Sequence, residues 1–290
     1  MTTTSTSTST TSTTSTSVPI TATPQDQALK AKHAAMWASG SYPTVVDDIV
    51  EPLGGILVET VGVRSGQRVL DVAAGTGTSA LPSARSGAEV TATDLTPELL
   101  EVGRAAAARE GLELTWKTAD AEALPYADSS FDVVLSCIGV MFAPHHQQAA
   151  DELVRVCRPG GTIGVLSWTP EGFIGQVFAV MKPYAPPPPP GASPAPLWGH
   201  ADHVRDLFGD RVDDLVAHQQ SLRVDRFADG AEFRDYMKAN YGPTIAVYKF
   251  IADEPGKVEA LDADLAALGE RFLHAGVMAW EYLLVTARRV

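Results

Sequence analysis

This sequence is poor in cysteine, in positive charge and in long apolar runs, and each shortage excludes something. Two cysteines, Cys137 and Cys157, are too few for a disulfide framework. Neither stands in a C-x-x-C pair, so no cysteine zinc site, and no other metal site, is expected. Twenty-two Lys and Arg face 35 Asp and Glu, for a net charge of −13. No basic cluster of the kind that tracks a phosphate backbone is present, which argues against a nucleic-acid partner. No run approaches the roughly 18 consecutive apolar residues of a spanning helix, so no membrane partner is expected. The Ser and Thr residues after Met1 form a tract with neither a basic start nor an apolar stretch. Such a tract does not read as a secretion signal. Residues 1–24 read as a disordered tail that cannot bury enough surface to fold. These features point to a cytoplasmic protein.

What is present is 45% hydrophobic residues over a 290-residue chain, enough for one large core spanning 25–290. The organising stretch is 68–80, RVLDVAAGTGTSA. Val69, Leu70, Val72 and Ala73 form a short apolar run of the kind that fills a strand buried on both faces. Gly75 and Gly77 then let the backbone turn sharply and approach a ligand. A helix starting near Thr78 would aim free N–H groups over the loop. Asp71 is the unusual residue, a carboxylate at the end of a buried strand that must be hydrogen-bonded or bind something.

The pattern around this stretch alternates. Helices are expected over 25–39 and 44–61, the second bent at Pro52. Strands are expected at 68–73, 89–93, 113–118, 131–137 and 162–168, with helices over 78–86, 96–110 and 146–156 between them. Thr96 is placed to cap the second of these three helices, with Pro97 in its first turn. This order specifies a doubly wound, mostly parallel sheet with right-handed crossovers. After Trp168 the alternation stops. Residues 169–200 hold a proline run and read as a stiff insertion. Helices are expected over 200–208, 229–241 and 257–274. Two further strands, 217–227 and 278–288, are expected to pair antiparallel. The stretch 169–276 would then cover a substrate, and Phe173, Phe178, Met181, Tyr184 and Trp198 would supply core or pocket walls.

Ligands of open parallel sheets sit beyond the carboxyl ends of the strands. Here those ends carry Asp71, Asp94, Asp120 and Ser136. Asp94 follows Gly75 by 19 residues, a distance that suits a carboxylate holding ribose hydroxyls. Four pieces, VLDVAAGTGTSA (69–80), VTATDLTPELL (90–100), ADAEALPYADSSFDVV (119–134) and ADELVRVCRPGGTIGVLSW (150–168), resemble the class I S-adenosylmethionine-dependent methyltransferases of the ubiquinone/menaquinone-type, small-molecule branch. They match in order and spacing across about 65–170. The resemblance implies an α/β, Rossmann-like, seven-stranded sheet with an antiparallel last strand and helices on both faces. It implies S-adenosylmethionine as cofactor. Asp71, Ala73, Gly75 and Gly77 would line its methionine and ribose part, and Ser136 its methionine end. Asp94 would bind the ribose hydroxyls, with Leu95 against adenine. Asp120 would take the adenine amine and the Ala121 backbone a ring nitrogen. The family often has glycine where this chain has Ala73.

The acceptor would be a small, partly apolar metabolite, methylated on oxygen, nitrogen or carbon chiefly by positioning. His145 and His146 are the candidates for a general base, since the resemblance places their loop toward the acceptor. Either also suits a helix cap. Tyr42 is a candidate for the cofactor site and Trp37 for its cover. Trp168, Glu171, His200 and Tyr241 are weaker pocket candidates, and His33, His203, His218 and His274 read as surface or packing. Two rivals remain. The stretch 75–80 satisfies G-x-G-x-x-A, which a nicotinamide-dependent oxidoreductase would use, but Asp71 and Asp120 have no role there. A non-catalytic module that only binds the cofactor would keep the same carboxylates.

Overall fold

The computed structural model describes residues 24–290, and the expected tail lies outside these apart from Pro24, which opens the first helix. Seven strands form one sheet: β1 (Arg68–Val72), β2 (Glu89–Asp94), β3 (Thr115–Thr118), β4 (Phe131–Cys137), β5 (Cys157–Trp168), β6 (Val212–Val224) and β7 (Met278–Arg289). Their spatial order is β3-β2-β1-β4-β5-β7-β6. The first five run parallel, and β7 pairs antiparallel with both β5 and β6. The strand order reverses between β1 and β4, which opens a crevice beyond their carboxyl ends. Val69, Leu70 and Val72 are fully buried there, as the apolar run requires.

The amino-terminal helix α1 spans Pro24–Trp37. A second helical stretch, Tyr42 to Val61, comprises α2 (Tyr42–Val45), a π turn at Val46–Val50 and α3 (Glu51–Val61). The expected disturbance from Pro52 therefore falls in the turn before it, where the ring cannot donate to the preceding turn and the ladder widens. In α3, Gly54 presses on the glycine loop. A Cβ at Gly54 would sit 1.7 Å from the Thr78 carbonyl oxygen. The crossover helices are α4 (Ala80–Arg85), α5 (Pro97–Glu110) and α6 (His146–Val156).

The carboxyl-terminal part differs from the sequence expectation in several places. The segment read as a stiff insertion contains α7 (Phe173–Met181), and Phe173 and Val177 are wholly buried. Its sequence is apolar on every side, so no helical stripe marks it. After α8 (Ala201–Phe208), β6 begins at Val212 and ends at Val224, five residues earlier at its start and three at its end than expected. Between α9 (Gly230–Asn240) and α11 (Pro255–Phe272) lies α10 (Gly242–Phe250), which opens on Gly-Pro and was read as connection. Strand β5 starts at Cys157, because the Arg158-Pro159-Gly160-Gly161 stretch is an irregularity within the strand. Among the described residues, no helix is long and apolar enough to cross a membrane.

Candidate active site

A cleft of about 750 Å³ opens beyond the carboxyl ends of β1, β2 and β4. Tyr42, Ala73, Gly75, Asp94, Leu95, Asp120 and Ala121 all line it. Each Asp94 oxygen accepts one backbone N–H at 2.8 Å, Oδ2 from Gly75 and Oδ1 from Thr96. The carboxylate thus fixes the glycine loop to the start of α5, and it does for that helix what Thr96 was expected to do. Thr96 occupies the N-cap without using its own side chain. A carboxylate has about four lone-pair sites, so Asp94 keeps two for a ligand. Burial raises its proton affinity, and the N–H groups of Thr96 and Gly75 pull it back down.

Asp71 lies beneath the loop and does not line the cleft. It is fully buried, and neither oxygen reaches a hydrogen-bond partner. Desolvation pushes its pKa up to about 7, while the Ser79 hydroxyl and the nearby N–H of Ala80 act against the rise. Gly77 faces Trp116, whose ring would stand 2.8 Å from a Cβ there. Ser136 is internal as well. Its hydroxyl donates to the Val72 carbonyl at 2.7 Å and accepts from the Val140 N–H at 2.8 Å. These three residues shape the loop from behind.

Two non-glycine residues on the cleft wall hold left-handed backbone, Ala73 at φ 54° and Ile138 at φ 53°. For a β-branched residue this is an outlier. The Ile138 N–H donates to the Leu166 carbonyl at 2.7 Å, which holds the turn. Gly139 follows because a Cβ there would lie 2.3 Å from the Ala73 carbonyl oxygen. Strain of this sort persists only where its surroundings over-determine it.

His145 and His146 do not line the cleft. His145 Nδ1 lies 2.9 Å from Glu122, and the His145 N–H donates to the same carboxylate at 2.7 Å. His146 is buried, 3.0 Å from His203 and tilted against Trp198. Burial, and after it the neighbouring His203, lower its pKa to about 4. His146 and His203 therefore act as packing. Glu171 and His200 are exposed, and Phe173 and Trp198 are core.

On the other side of the cleft sequence reasoning found Trp37 and missed Lys30 and His33. Lys30 of α1 donates to Asp120 at 3.0 Å and meets Glu122 at 2.5 Å. His33 lines the same wall, with its pKa lowered by burial and then by Lys30. Trp37 packs edge-on against Tyr42, Phe142 and Tyr241 at 4.7–5.7 Å. Lys30 and Asp120 are 90 residues apart, so no local spacing marks the pair. Glu122, two residues after Asp120, was the available signal.

Residues 69–161 match the sequence family described as a methyltransferase domain. The YcgJ protein of Bacillus subtilis shares the fold, with TM-score 0.55 at 18% identity, over 81% of this chain and 97% of that one. An uncharacterized protein of Mycobacterium tuberculosis is 52% identical over 269 residues, 93% of this chain and 98% of that protein. This chain belongs to the same family as that mycobacterial protein and carries a methyltransferase domain. The methyltransferase is similar, over a shorter span, to the demethylmenaquinone methyltransferase of Renibacterium salmoninarum. That match is 41% identical over 118 residues, 41% of this chain and 48% of that protein. The cleft sits at the switch point of the sheet, where such a fold binds ligands.

Proposed function

We propose that the cleft holds S-adenosylmethionine and that the enzyme transfers its methyl group to a small, partly apolar metabolite. The observation that carries this is Asp94, a buried carboxylate that anchors the glycine loop and still faces the cleft with lone pairs to spare. It would take the two ribose hydroxyls. Leu95 and Ala121 would flank the adenine ring, and Asp120 would accept its amine in competition with Lys30. Gly75 and Ala73 would face the methionine part. Asp71 supports the loop from below.

The sulfonium supplies an activated methyl carbon. The protein's share is to bind, orient and keep water away. An oxygen, nitrogen or carbon nucleophile forms its bond to carbon as the carbon–sulfur bond breaks, and the electron pair stays on sulfur. Neither His145 nor His146 lines the cleft, so the reading rests on alignment and assigns no base to either. The partial match to the demethylmenaquinone enzyme supports the small-molecule branch. The acidic balance fits that branch and a cytoplasmic setting.

Calorimetry with S-adenosylmethionine, wild type beside Asp94→Ala, tests the site. Micromolar binding that the variant loses is expected. Binding of NADH in place of S-adenosylmethionine would overturn it.

A further inference from the structure

The two edges of the sheet are finished differently. Strand β3 ends one side and is 4 residues long, with Lys117 among them. Shortness and a lysine both discourage pairing with another chain. Strand β6 ends the other side and is 13 residues long. Its inner side pairs with β7, and among the described residues no strand pairs with its outer side. The backbone N–H and C=O groups along that side have only water in place of a neighbouring strand.

The start of β6 is guarded and the rest is not. The register against β7 shifts between Asp213 and Val216, and Asp214 holds left-handed backbone at φ 51°. A bulge that carries carboxylates disrupts pairing locally. From Val216 to Val224 the register runs unbroken. This stretch contains no proline and no glycine, and Arg223 is its only Lys, Arg, Asp or Glu. Val216 is 43% exposed, one of few large apolar residues that reach solvent. His218, Gln219, Gln220, Ser221 and Arg223 are exposed as well.

The charges along the strand say what fits it. Acids stand at its start and an arginine near its end. Arg223 meets Asp225 at 3.3 Å, but both side chains are largely in solvent, so that contact holds it weakly. In an antiparallel pair of two copies centred on His218, position 213 of each copy stands opposite position 223 of the other. Asp213 then faces Arg223 at both ends of the pair, and opposite charges across strands stabilise. The extra residue of the bulge changes only which of Asp213 and Asp214 stands there. Parallel pairing would set acid against acid and arginine against arginine. A two-fold contact needs one patch that complements itself, and the antiparallel arrangement of β6 supplies it.

We propose that β6 is a self-association edge, at which two copies of this chain pair β6 with β6, antiparallel about His218, and join their sheets into one. The cleft lies beyond β1, β2 and β4, and β5 and β7 stand between β4 and the β6 edge, so both clefts stay open in the pair.

Sedimentation velocity of the full-length protein, from about 1 to about 100 µM, reads the pairing, and the mass is expected to rise from one chain to two across this range. Arg223→Glu alters an exposed side chain and sets like charges opposite each other, so it should weaken self-association about tenfold. Adding Asp213→Lys and Asp214→Lys to it should restore pairing to within about threefold of wild type. Outward amides of 216–224 should exchange more slowly as concentration rises, while those of β3 stay unchanged. A mass of one chain at every concentration would overturn the proposal. So would a pair that Arg223→Glu leaves intact, or a charge swap that pairs no better than Arg223→Glu alone. Slow exchange of the same amides in a single chain would show that the chain covers its own edge, and would overturn it too.

Discussion

The cleft and a small neighbouring chamber share a wall, at Tyr42 and Ile138, and are built on opposite chemistry. The cleft is made by strand ends and carries Asp94, Asp120, Lys30 and His33. The chamber is walled by Tyr42, Val45 and Val50 before β1, by Ile138, Trp168 and Trp280 on the sheet, and by α7 and α9, and no charged side chain lines it. A cofactor with an amine, a diol and an amino-substituted ring needs fixed polar groups, so its half is specified by carboxylates at set places. The chamber has no such groups to place, so it is specified by packing. The first is a chemical code and the second is a seam in the core.

The comparison breaks or sharpens through five measurements. The largest effect is expected from Asp71, on the cleft side. Its pKa is about 7 when folded against 3.8 as the reference, so between those values the folded protein holds a proton that the unfolded chain has lost. Stability therefore falls as pH rises from about 4 to 7, by up to about 4 kcal/mol. His146 opposes this. Its pKa of about 4 against 6.5 means its contribution is lost as pH falls from 6.5 to 4. Urea midpoints of Asp71→Asn beside wild type, at pH 5 and pH 8, isolate the first term. The variant should gain on wild type at pH 8 relative to pH 5, and parallel curves would refute the buried, unpaired carboxylate.

Gly54→Ala comes next. Its methyl would strike the Thr78 carbonyl oxygen and push α3 off the glycine loop. A loss of about 3 kcal/mol is expected, read as a lower denaturation midpoint, together with weaker cofactor binding. Asp94→Asn should cost about 1.5–3 kcal/mol of S-adenosylmethionine affinity, roughly 10–100-fold by calorimetry. Ala73→Gly removes a left-handed alanine and should raise stability by about 1 kcal/mol, seen as a higher thermal midpoint. Lys30→Met should lower the denaturation midpoint, since Lys30 is largely buried and its loss leaves the buried Glu122 paired with His145 alone. It should make cofactor affinity less sensitive to salt.

The same contrast explains what the sequence disclosed. Strands β1 to β5 and Asp94 were legible because buried runs, turn glycines and strand-end carboxylates are local signals. The positions of Tyr42, Ala73, Gly75, Leu95, Asp120 and Ala121 on one cleft follow from the sheet order those signals imply. Helix α7 was hidden because it is apolar all round, and α10 because Gly242-Pro243 looks like a break. Lys30 was hidden because its partners are about 90 residues distant. The walls of the chamber come from six separate segments, and no single stretch announces them.

Helix α1 has one further consequence. None of its residues is buried, yet it forms one side of the cleft through Lys30, His33 and Trp37. Few apolar contacts are broken when it lifts, so its opening free energy sits far below that of the sheet. Amide exchange in 24–37 should then run orders of magnitude faster than in β1 or β4. If α1 exchanges this fast, the dwell time of a bound cofactor should follow the lifting of α1 and the salt concentration more than the global stability of the fold.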